Sequence, residues 1–299
     1  MSNKVEAIEI PAKANKKKIL SPIVCVILFL KIVIIGYFIY LFNQSFEAGS
    51  VLFDRTFFLF IIAGFFAQLI DGALGMAYGI SCTTLLLSLG IPPKLASASV
   101  HTSEIFTTGV SGLSHIRFNN LDKKLFFSIV FTGVIGATTG AYLLADILDG
   151  SMVKPYISAY LVILGAYLIY KAFRKKENKK PKRKYASFLA LFGGLFDAVG
   201  GGGWGPIVTS NLLSQGHNPR KTIGTVNTAE FFVTYFATVV FIFILGVQHL
   251  DIVLGLVIGG VIAAPLGAYI ASKVNPKALL ILVGALVVLT SSYNLFQLL

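Results

Sequence analysis

A chain of 299 residues with 56% hydrophobic and only 13% charged residues departs from soluble domains, whose charged share is about 25%. Several mostly apolar runs match the roughly 20 residues that carry a helix across a bilayer, and the alternating segments of a closed barrel are not seen. The net charge of +12 does not point to nucleic acid: the positives gather in KANKKK (13–18) and RKKENKKPKRK (174–184), both flanking apolar runs, where short cytoplasmic loops collect Lys and Arg.

The fold class expected is an all-α polytopic membrane protein. In chain order, residues 1–55 read as a basic cytoplasmic tail plus one additional N-terminal transmembrane helix near 19–42. Its apolar stretch exceeds the roughly 7–15 residues of a signal peptide, so a retained anchor is expected. Lys31 inside it is read as snorkelling or packing against the bundle. Residues 56–90 then form a helical hairpin broken by glycines, and spans near 96–115, 125–146 and 155–172 complete a first unit over 56–172. A basic linker, 173–185, leads to a second unit over 186–299, with a hairpin at 186–216 and spans near 223–245, 252–272 and 278–297. Cys25 and Cys82 lie in separate apolar segments without a CxxC or a ligand-spaced His, which argues against a disulfide framework or a zinc site. No metal or cofactor is expected.

The two units share a sequence. DGALGMAYGISCTTLLLSLGIPPKLASASVHTSE (71–104), displaced by 126 positions, falls without a gap on DAVGGGGWGPIVTSNLLSQGHNPRKTIGTVNTAE (197–230). Asp71 meets Asp197, Gly75 meets Gly201, Gly79 meets Gly205, Pro93 meets Pro219, Lys94 meets Arg220, Thr102 meets Thr228 and Glu104 meets Glu230. With the basic tail and linker inside the cell, the first unit enters from outside and the second from inside. The expectation is inverted-topology repeats with re-entrant, broken hairpins, a layout that places a transporter's site between the repeats. The N-terminus is then cytoplasmic and the C-terminus external, in the cytoplasmic membrane.

FDAVGGGGWGP (196–206) sets a carboxylate, glycines and a proline inside an apolar run. Each glycine weakens a helix interior by about 1 kcal/mol and proline by about 3, and a charge at mid-bilayer costs at least about 2.5. Broken backbone at that depth survives only when buried in protein or lining a polar cavity. A helix restarting there offers free N–H groups and a positive dipole end to an anion. Close helix packing through small residues is the competing reading. On the segments that follow, Ser97, His101, Glu104, Thr108 and His115 share one helical face, as do Asn227, Glu230 and Thr234.

The candidate substrate contacts are Gly75, Gly79, His101, Thr102, Gly201, Gly202, Gly203, Asn227 and Thr228. Asp71, Glu104, Asp197 and Glu230 are candidates for proton coupling or gating, with capping of freed N–H groups the alternative for the two aspartates and a structural hydrogen bond the alternative for the two glutamates. His101 is read equally as a proton partner of Glu104 or as a structural donor, and His115 as interfacial. Lys94 and Arg220 stand at the two mouths.

The duplicated glycine-rich break, followed by LLLSLGIPPKLASASVHTSE and NLLSQGHNPRKTIGTVNTAE, resembles the sulfite exporter TauE/SafE family, also called toluene sulfonate uptake permeases, from about residue 56 to 297. The resemblance implies movement of small sulfur-containing or organic anions such as sulfite and sulfonates. The first copy, GALGMAYGI, lacks the fuller glycine run and the proline of the second. The expected function is a secondary transporter of such an anion, in the export direction, proton-linked and working by alternating access; a channel-like anion pore of the same architecture is the alternative. No nucleophile–base pair stands out, so an enzyme is not expected. The partners expected are the anion and the lipid bilayer, with a homo-oligomer compatible and no nucleic acid.

Overall fold

The structure, a computed structural model, describes residues 22–47, 54–174, 185–215, 217–246, 249–271 and 276–297. The KANKKK tail and nearly all of the basic linker lie outside the described residues. All regular elements described are helical. The additional N-terminal helix is α1 (Pro22–Glu47). The first hairpin is α2 (Arg55–Leu74) and α3 (Tyr78–Ser88), followed by α4 (Pro93–Arg117), α5 (Lys123–Tyr142), a π-turn over Leu143–Ile147, and α6 (Gly150–Phe173). The second copy has α7 (Ala186–Gly200), a π-turn over Gly205–Thr209 entering the short α8 (Ser210–Ser214), then α9 (Pro219–Leu245), α10 (Leu250–Ala271) and α11 (Pro276–Phe296).

Helix ends follow local chemistry. Asp54, Asp122 and Asn218 accept from N–H groups of the first turns of α2, α5 and α9, the usual side-chain satisfaction of orphan donors. Pro93 and Pro219 occupy first-turn positions, where a missing N–H costs nothing. A helix occupies each stretch expected to span, and several ends run two to five residues beyond the estimates, at α4, α5 and α9 because the capping residue or proline, not the end of the apolar run, sets the start.

By length and composition, α1, α2, α5 with its π-turn, α6 and α9 each suffice to cross a membrane. α4 does not reach that threshold although it is 25 residues long, and its side chains from Ala96 to Thr108 are almost all buried. Its polarity is therefore enclosed by protein, and α9 runs against it. Around this central pair, α2 packs along α10, α5 along α7, and α6 along α11. Glycines allow these approaches: a Cβ on Gly136 or Gly259 would meet the main chain of Leu191 or Ile61, the small-residue packing typical of membrane helices. α1 lies outside, with its lipid-side residues Phe29, Ile32, Ile39 and Tyr40 exposed and Ile27, Ile34 and Phe38 packed against Ile105, Phe231, Tyr235 and Val253.

Candidate functional site

Both hairpins break at the same place and in the same way. Leu74 ends α2 and Gly75 follows in the left-handed region at φ 67°; Gly200 ends α7 and Gly201 follows at φ 66°. L-residues with a side chain rarely adopt this conformation, which is why glycine recurs there. The N–H groups freed by each break are taken by an aspartate of the same hairpin. Asp71 Oδ1 accepts from Ala77 N at 2.8 Å and Tyr78 N at 3.4 Å; Asp197 Oδ1 accepts from Gly203 N at 2.7 Å and Trp204 N at 2.9 Å. The anion nearest each restarted helix is therefore the chain's own carboxylate.

The two breaks press on each other. A Cβ on Gly202 would strike Ile80 N and the Gly79 carbonyl carbon, and one on Gly205 would strike Met76. Thr83 donates to Gly201 O, and Thr209, its counterpart, donates to Gly75 O at 3.4 Å. Tyr160 donates from α6 to Gly202 O at 3.2 Å. The carbonyls of Gly75, Gly201 and Gly202 thus accept from the opposite copy, while the freed N–H groups go to each hairpin's own aspartate.

Where the breaks meet there is a cavity of about 10 Å³, counted as the space open to a water's centre, which is room for about one water. Asp71, Glu104, Asp197 and Glu230 all line it, together with Gly79, Gly202, Gly203, Gly205 and Pro206. Glu104 and Glu230 are buried, and among the described residues no hydrogen-bond donor faces either carboxylate. Their helices hold them: Thr108 donates to the Glu104 main-chain O at 2.5 Å and Thr234 to the Glu230 main-chain O at 2.9 Å. No Lys or Arg lines the cavity.

The remaining expected residues divide by distance from it. Gly75 and Gly201 cap the breaks. His101, fully buried, reaches Asp197 Oδ2 with Nε2 at 3.2 Å. Asn227 Nδ2 donates to Ser111 Oγ at 3.0 Å, while its buried Oδ1 has no donor and faces the Gly75 turn. Thr102 and Thr228 hydrogen-bond back to Ala98 O and Gly224 O of their own helices and do not line the cavity. Lys94 donates to Ala145 O at 3.0 Å, Arg220 is exposed, and His115 pairs with Asn120 Nδ2 at 3.2 Å. Thr83, Thr209 and Tyr160 were not anticipated. Thr83 and Thr209 stand in register in the duplicated motif, so the alignment held that signal; Tyr160 has none.

A lipid-exposed helical bundle that encloses a polar centre built from two broken hairpins defines a multi-pass membrane protein. A family model described as "Sulfite exporter TauE/SafE" matches residues 60–294, and the chain belongs to that family. It is 43% identical over 252 residues, 81% of this chain and 84% of the relative, to the "Probable membrane transporter protein YtnM" of Bacillus subtilis (strain 168). No solved structure matches. The protein is a membrane transporter.

Proposed function

We propose that this transporter moves a small sulfur-containing or organic anion, sulfite or a sulfonate, across the cytoplasmic membrane in the export direction, linked to protons and by alternating access between inverted repeats. The supporting observation is the pair of unpartnered, buried glutamates, one from each copy, on a cavity walled by both breaks. Intramembrane ionisable groups face a cavity or a partner because lipid offers them neither water nor counter-charge. Four carboxylates would repel an anion if all were ionised, whereas a low-dielectric setting favours the neutral acid. A protonated Glu104 or Glu230 donates a hydrogen bond to the anion and afterwards releases its proton on the other side. Asp71 and Asp197 hold the breaks open as caps, and Gly75, Gly79, Gly201, Gly202 and Gly203 let backbone approach the guest. Asn227 supplies an amide beside it.

Room for about one water is too little for sulfite, so the halves must separate to admit substrate. That favours a carrier over an open pore. The repeats, 56–172 and 186–299, supply one hairpin and one polar helix each, so neither completes the site alone.

Purified protein in liposomes, tested with sulfite, sulfonates and carboxylates, should give saturable uptake with counterflow for the sulfur anions and a rate that depends on the proton gradient. Glu230→Gln should abolish that dependence. Conduction without saturation, or a Glu230→Gln protein with unaltered pH dependence, would overturn the reading.

A further inference from the structure

We infer that His101 and Asp197 together form the proton-carrying pair of this site, and that the second copy, with Asn227 in the position of His101, has no equivalent. The use of that proton in transport rests on the proposed function; its presence follows from counting donors.

Ser97 Oγ donates its hydrogen to Ala198 O at 2.6 Å, so only its lone pairs face the imidazole. His101 Nδ1 lies 3.3 Å from that oxygen and 2.9 Å from Ser97 O. Two acceptors require a hydrogen on Nδ1. Nε2 then faces Asp197 Oδ2 at 3.2 Å, and two lone pairs at that distance repel. A further proton therefore sits between them, on Nε2 or on Oδ2. Asp197 cannot swing away, since Oδ1 is held by Gly203 N and Trp204 N.

Glu104 stands three residues along α4 from His101, and one ligand atom from each of His101, Glu104 and Asp197 falls within 4.8 Å of the others. When the pair's proton passes to the Glu104 carboxylate, it leaves a neutral imidazole and an ionised Asp197, and Glu104 becomes the neutral acid; nothing else is consumed. The other titratable groups facing this cluster are Asp71, Tyr78 and Cys82 from the first hairpin, Tyr160 from α6 and Glu230 from α9. None is a second imidazole: Asp71 and Glu230 are carboxylates, and Tyr78, Tyr160 and Cys82 are weak acids. In the second copy the amide of Asn227 bonds Ser111 and does not titrate, and Asp71 is left with its two backbone donors. The imidazole–carboxylate pair is therefore confined to one copy of a duplicated frame, while a glutamate from each copy lines the cavity.

The chain's single tryptophan, Trp204, reports on this pair directly, because its backbone N–H rests on Asp197 Oδ1 at 2.9 Å. The intact protein in detergent should show a pH-dependent change in intrinsic fluorescence that is lost in His101→Asn. Protons moved per sulfite in liposomes should fall at least tenfold in His101→Asn, whatever its rate. His101→Gln serves as the second single variant, with size-exclusion elution confirming its fold. A fluorescence titration unaltered in both single variants, or a wild-type proton ratio in either, overturns the assignment. Absence of sulfite flux in the unsubstituted protein would instead count against the proposed function, and the fluorescence titration would still decide the pair.

Discussion

Gly202 decides how closely the two breaks meet. The atoms that a Cβ there would strike are main-chain atoms of Gly79 and Ile80, which cannot rotate aside as a side-chain tip can. Overpacking of this kind typically costs about 1–3 kcal/mol, and here it also pries apart the walls of the cavity. Gly202→Ala should lower the melting temperature in detergent and abolish transport, while Gly36→Ala, on α1 with no heavy atom within 4 Å of the new methyl, should leave both unchanged. Much of this residue chemistry was legible in the sequence. The repeated Asp and Gly at fixed spacing marked the breaks, and capping was one of two readings for Asp71 and Asp197. The mutual satisfaction of the breaks was not legible, since Thr83 to Gly201 O crosses between copies and no one-dimensional spacing encodes a contact 118 residues apart. Thr102 and Thr228 show the opposite failure: they stand in register in the repeat, yet each is one residue beyond the polar face and its hydroxyl turns back onto its own helix, a choice that threonine makes locally.

At the scale of elements, one end of the duplicated frame is closed by side-chain fastenings between the copies. The turn between α4 and α5 is fastened to α9: Thr225 Oγ1 accepts from Asp122 N at 2.8 Å, and Lys221 Nζ donates to Asn119 O. The corresponding positions on α4 are Leu95 and Ser99, and the corresponding turn begins at Gly246; a cleft there is lined by Leu95, Ala98, Ser99, Thr102 and Gly246. Asn119 and Gly246 both have positive φ, 56° and 70°. Releasing one hydrogen bond costs about 0.5–1.5 kcal/mol, so Thr225→Val should raise the population of forms open at this end by about 2–10-fold. A cysteine replacing buried Thr222, with Cys25 and Cys82 removed, should be alkylated faster by the same factor. An unaltered rate would show that the fastening does not hold this end shut. Helix positions were readable from apolar runs and prolines; this fastening was not, because it depends on side chains such as Lys221 that read as ordinary flanking charge.

For the whole molecule, the arrangement of helices constrains how the halves are related. α2 corresponds to α7 and α5 to α10, so the α2–α10 and α5–α7 contacts are the same contact seen from each copy, while α4–α9 and α6–α11 pair corresponding helices. Exchange of the copies thus maps these helix contacts onto one another, as a two-fold relation between the copies would require. An axis in the membrane plane sends corresponding residues to opposite faces; an axis along the membrane normal keeps them on one face. Leu89 and Gln215 are corresponding residues that follow α3 and α8, and they separate the two cases. In a chain freed of Cys25 and Cys82, an impermeant maleimide added to intact cells should label Leu89→Cys, which is exposed, and should reach Gln215→Cys only after the membrane is opened. Labelling of both from one side would leave the duplication intact but make it parallel. The basic linker and tail would then no longer share the cytoplasmic face that the Lys and Arg distribution assigns to them, and alternating access would need a different hinge.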